Sequence, residues 1–94
     1  MENFKVIIVE DVPLELKGTE GIFRNEIPEA EIIGTAESET AYWKLIKQQL
    51  PDLVLLDLGL GGSTTVGVEI CRQTKQTYPN VKVLIFTGEI LNEK

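Results

Sequence analysis

Three short stretches of this chain are apolar without a break: Val6 to Val9 (VIIV), Leu53 to Leu56 (LVLL) and Val83 to Phe86 (VLIF). A strand with one wet face alternates apolar and polar residues. An unbroken run of this length suits a strand covered on both faces, as in a parallel sheet between helices. That single feature restricts the chain more than any other.

The segments between the runs read as helices. Pro13 suits a first helical turn, and Leu14, Gly18, Ile22 and Phe23 trace one face to about Asn25, before Pro28. Glu31 to Ala36 (EIIGTA) is a weaker strand. Ser38 is placed to cap a second helix, with Tyr42, Leu45, Ile46 and Leu50 as its apolar spacing and Pro51 as its end. A loop rich in Gly, Ser and Thr (GLGGSTT) follows Asp57, and Gly67, Ile70, Cys71, Thr74 and Tyr78 mark a third helix. Lys5 to Val9 and Val81 to Phe86 are the first and fourth strands. The order is β-α-β-α-β-α-β, which implies an α/β fold with parallel pairing. The whole chain, residues 1–94, reads as a single domain.

Composition narrows the function classes. Fifteen acids against nine bases give a net charge of −6, a poor match to a nucleic-acid surface, which needs a basic patch. There is no histidine, so neither acid–base catalysis nor metal ligation by imidazole is available from this chain. The lone cysteine, Cys71, cannot form an intramolecular disulfide and reads as a small core residue in a reducing, cytoplasmic setting. No signal peptide opens the sequence and no apolar run is long enough for a membrane span. Trp43 reads as packing of the second helix.

The three apolar runs end on polar groups: the first strand on Glu10 and Asp11, the third on Asp57, the fourth on Thr87. Parallel strands place these ends at one edge of the sheet, where open α/β sheets bind ligands. Each residue alone has an ordinary structural reading, since carboxylates after strands often cap the next helix. Together they form an acidic cluster that a hard divalent cation would relieve, and Mg²⁺ suits a few carboxylates with water and phosphate oxygens. The glycine loop is a poor match to nucleotide-binding loops. The pattern G-x-G-x-x-G fails at Thr64, and no G-x-x-x-x-G-K-[ST] occurs.

The acid pair in VEDVP, the aspartate in LVLLDLGL and the VLIFTG stretch together resemble the receiver domain of two-component response regulators, in order along the whole chain. The resemblance implies a flavodoxin-like three-layer sandwich with strand order 2-1-3-4. It also implies a phosphorelay role: Asp57 accepts a phosphoryl group from a sensor histidine kinase, with Mg²⁺. Glu10 and Asp11 match the acidic pair, with Asp11 the more direct metal ligand and Glu10 acting largely through water. Gly59 would lend its backbone carbonyl to the metal, Thr87 would meet the phosphoryl group, and Gly88 would leave room for the donor. An aspartate nucleophile is a recognised covalent strategy, and a carboxylate needs no general base to attack. On this reading the chain is not an enzyme in the usual sense.

Two departures stand against that pattern. Gly61 occupies the position where the family usually has a proline, within a longer loop. The sequence also closes before the family's fifth strand, with its lysine, and last helix, which reads as a truncated receiver. The expected consequence is self-association, as a homodimer through the strand-four edge or the first-helix face around Leu16 and Phe23. The rival reading is a phosphorylation-independent interaction or dimerisation module on the same fold. An aspartate-nucleophile phosphatase fits poorly, because Gly59 stands where that class needs a second aspartate. Neither nucleic acid nor membrane is expected as a partner.

Overall fold

Strands and helices alternate along the chain as the apolar runs predict. The computed structural model describes residues 3–62 and 64–86. Its elements are β1 (Phe4–Val9), α1 (Pro13–Glu26), β2 (Ala30–Ala36), α2 (Glu39–Gln48), β3 (Leu53–Asp57), a 3-10 turn (Leu60–Gly62), α3 (Thr64–Thr77) and β4 (Lys82–Phe86). All pairings are parallel, in the order β2-β1-β3-β4. The chain steps from β1 outward to β2, then crosses back over β1 to reach β3. The carboxyl ends of β1 and β3 therefore flank the point where the strand order reverses.

Successive side chains of a strand point to opposite faces, and β1 shows what that does. Val6 and Ile8 pack with Leu55 against Leu16 and Phe23 of α1. Ile7 and Val9 pack with Val54 and Leu56 against Tyr42 and Ile46 of α2 and Ile70 of α3. Both faces of β1 are covered, which is why its sequence carries no polar alternation. The result is a three-layer sandwich of flavodoxin-like type, with α1 on one side and α2 and α3 on the other.

Local signals place the helix ends. Pro13 opens α1, and the Ile27 amide closes it by donating to the Phe23 carbonyl. The Ser38 hydroxyl accepts from the Ala41 amide at 3.2 Å and caps α2, as its sequence position predicts. Trp43 packs against the core beside Tyr42, ring centroids 4.8 Å apart, and Cys71 is a half-buried neighbour of the same cluster.

Two expectations are corrected. The face of α1 that enters the core carries Leu16 and Phe23, while Leu14 is 80% exposed and Ile22 also faces solvent. Leu16 and Phe23 stand two turns apart and line up over the sheet, and the stripe through Leu14, Gly18 and Ile22 is rotated away from it. The face around Leu16 and Phe23 is consequently sealed inside the protomer and is no surface for a second copy. In α2, Leu50 lies past the helix end and is exposed.

The outer strand β4 pairs only with β3 among the described strands. Its Leu84 and Ile85, one on each face, are 55% and 41% exposed.

Candidate functional site

The carboxylates of Glu10, Asp11 and Asp57 meet where β1 and β3 end. One oxygen from each lies within 4.8 Å of the others. The β-ladder itself positions them. The Glu10 amide donates to the Ala36 carbonyl and extends the β1–β2 pairing by a residue. Asp57 ends β3 opposite Phe86 of β4, and the next amide, Leu58, donates to the Phe86 carbonyl at 2.7 Å. Glu10 is fully buried, Asp57 is 6% exposed, and Asp11 lies at the mouth, half-buried.

Backbone amides answer these charges. Val12 N–H donates to Glu10 Oε2 at 3.1 Å, and Gly59 N–H to Asp57 Oδ1 at 3.1 Å. Gly61 N–H donates to Asp11 Oδ2 at 3.0 Å. Glu10 Oε1 is buried and finds no hydrogen-bond partner among the described residues. Burial pushes the Glu10 carboxyl up to about 7; the Val12 amide opposes the shift, and the negative charges of Asp57 and Glu15 add to it.

An orphaned carboxylate oxygen buried beside two further carboxylates is a costly arrangement for a bare protein. The donor set is all oxygen and anionic, the chemistry that hard divalent cations select. The residues therefore fit Mg²⁺. The Gly59 carbonyl, expected as a further ligand, accepts from the Gly62 amide at 2.9 Å and retains a second lone pair. Thr87 and Gly88, the other expected members of the site, lie outside the described residues.

Some features of the site lie beyond what the sequence pattern reveals. Gly61 and Gly62 both take left-handed backbone angles, with φ of 70° and 76°. Leu60 between Gly59 and Gly61 is buried in the core and pins the turn from below. At the start of α3, a Cβ on Gly67 would fall 2.9 Å from the Leu58 carbonyl oxygen. The clustered glycines at 59, 61, 62 and 67 are the only sequence trace of these contacts.

The family model for the response regulator receiver domain matches residues 6–93. The chain belongs to that family.

This receiver domain is 29% identical over 83 residues to the methanol utilization control regulatory protein MoxX of Paracoccus denitrificans, covering 88% of this chain and 36% of that protein. It is 31% identical over 85 residues to the transcriptional regulatory protein DegU of Brevibacillus brevis, covering 90% and 35%. The chain thus spans about a third of the length of these relatives. Among solved structures, it matches the signal receiver domain of a DNA binding response regulator protein (merR) from Colwellia psychrerythraea 34H, with a TM-score of 0.79 and 30% identity, over 92% of this chain and 69% of that one. The Salmonella typhimurium RcsB response regulator shares the fold, with a TM-score of 0.81 at 24% identity, over 93% and 44%. Receiver domains are signalling modules that bind Mg²⁺ in an acidic pocket and work with histidine kinases, and Glu10, Asp11 and Asp57 form a cluster of acidic residues here.

Proposed function

We propose that this receiver domain is a phosphoacceptor module: Asp57 takes a phosphoryl group from a phosphohistidine on a sensor histidine kinase. The observation that carries this reading is the Asp57 carboxylate itself. It is almost fully buried at the strand-order switch, with oxygens of Asp11 and Glu10 within 4.8 Å. A structural cap needs no such company.

In the proposed step an Asp57 oxygen attacks phosphorus. A P–O bond forms, the P–N bond to the donor histidine breaks, and the histidine keeps the electron pair. Asp11 and Asp57 would hold Mg²⁺ directly, with Glu10 through water and the Gly59 carbonyl beside them. When bound, Mg²⁺ neutralises the charge spread over the phosphoryl oxygens, and positioning does the rest. The Gly59 amide fixes the Asp57 carboxylate for attack through its oxygen. Thr87 is the proposed hydroxyl partner of the incoming group. Output passes to a protein partner in the cytoplasm; among the described residues no helix is long and apolar enough to cross a membrane.

Incubation with a small phosphodonor such as acetyl phosphate, followed by mass spectrometry, tests the proposal. One phosphoryl group on Asp57, lost in Asp57→Asn, is expected. No label in wild type, or label surviving Asp57→Asn, rejects it.

The second reading, an interaction module that is never phosphorylated, draws on the exposed Leu14, Ile22, Leu84 and Ile85. Under it, partner binding is unchanged in Asp57→Asn and insensitive to beryllofluoride.

A further inference from the structure

Two of the three site carboxylates are held by their own loops. Glu10 takes the Val12 amide and Asp57 takes the Gly59 amide, each from two residues further along. Asp11 differs. Its partner, Gly61, lies fifty positions away on the β3–α3 loop. That bond ties the loop after β1 to the loop after β3, across the mouth of the site.

We infer that Gly61 is a positioning residue: its amide fixes the Asp11 carboxylate for cation binding. The inference rests on the cation site proposed above. Asp11 is the most exposed of the three acids, and its two neighbours repel it toward water. A backbone N–H answers Oδ2 without adding a positive charge that would compete with a cation. The amide is itself fixed. Leu60 is anchored in the core on one side, and on the other the Gly62 amide donates to the Gly59 carbonyl, closing the turn. Gly61 reaches this geometry at φ 70° and ψ 13°, in the left-handed region. A proline at this position has neither the φ nor the N–H. Asparagine tolerates the left-handed region and keeps the N–H.

Mg²⁺ affinity of Gly61→Pro and Gly61→Asn, measured against wild type by amide NMR titration at Gly59, compares a residue that loses both the amide and its left-handed angle with one that keeps both. Expected is an affinity about three- to tenfold weaker in Gly61→Pro, the loss of one hydrogen bond, with a much smaller change in Gly61→Asn. Equal losses in both variants, or none in Gly61→Pro, overturn the inference. A wild type that ignores Mg²⁺ at tens of millimolar sinks the cation site itself, a result distinct from a wild type that binds and a Gly61→Pro that binds equally well. Should Gly61→Pro fail to fold, amide exchange in metal-free buffer decides. Asp11→Ala should speed exchange at Gly61 at least several-fold and leave Gly62, bonded to Gly59, unchanged; unaltered exchange at Gly61 overturns the tie.

Discussion

Tyr42 and Thr74, both fully buried, share a 2.7 Å hydrogen bond between hydroxyls that joins α2 to α3 over the centre of the sheet. Burial pushes the Tyr42 hydroxyl up to about 12, so it stays protonated at every working pH. Tyr42→Phe removes one partner and leaves the Thr74 hydroxyl buried and unanswered, which costs about 1–3 kcal/mol. Adding Thr74→Val removes the second polar group and should return much of that loss. Urea denaturation of the two single variants and the double gives the coupling directly. Additive losses would mean that the bond contributes nothing of its own.

Glu10 makes the metal-free fold sensitive to pH. Its carboxyl stands at about 7 in the folded chain against an ordinary 4.5. A folded-state value raised above the unfolded one gives stability that is full below pH 4.5 and lost as pH rises through 7. At pH 8 both states carry the charge, and the folded one has it buried. Glu10→Gln should therefore stabilise the chelated protein clearly at pH 8 and hardly at all at pH 4.5. Thermal unfolding in excess chelator at both values measures the difference. A Glu10→Gln that unfolds earlier than wild type at pH 8 contradicts this account.

Gly67 allows α3 to press on the Leu58 peptide, one residue past Asp57. A Cβ there would meet the Leu58 oxygen at 2.9 Å and its Cα at 3.2 Å, both backbone atoms that cannot swing aside. Gly67→Ala should destabilise the fold by about 1–3 kcal/mol, in the range of overpacked sites. It should also shift the Gly59 amide resonance, because the displaced backbone carries that residue. A stable Gly67→Ala with an unchanged Gly59 signal would show that α3 relaxes freely.

β4 offers both an unpaired edge among the described strands and exposed Leu84 and Ile85. Pairing of two such edges across a two-fold axis would satisfy backbone groups and cover these side chains. Self-association at micromolar concentration is expected in sedimentation, through an interface of at least about 1,000 Å². Leu84→Glu should shift the population to monomer. A wild-type chain that sediments as a compact monomer rejects the proposal.

The sequence by itself determined β1, β3 and the acids at their ends. A run such as Val6 to Val9 specifies a doubly covered strand because burial on both faces is written into consecutive residues. Glu10, Asp11 and Asp57 could be read as one site because parallel strands bring their carboxyl ends to a single edge. The orientation of α1 was not decided there. One turn on from Leu16 stand Thr19 and Glu20, which leave its face without an apolar marker before Phe23, so Leu14 and Ile22 compete for the same pattern, and only contact with Val6, Ile8 and Leu55 selects the winner. The tie between Gly61 and Asp11, and the approach of Gly67 to Leu58, were likewise decided by the tertiary structure. Periodicity records which residues face inward. It carries no record of which backbone atom a loop, pinned by Leu60 and turned by two left-handed glycines, will bring to a carboxylate fifty positions away.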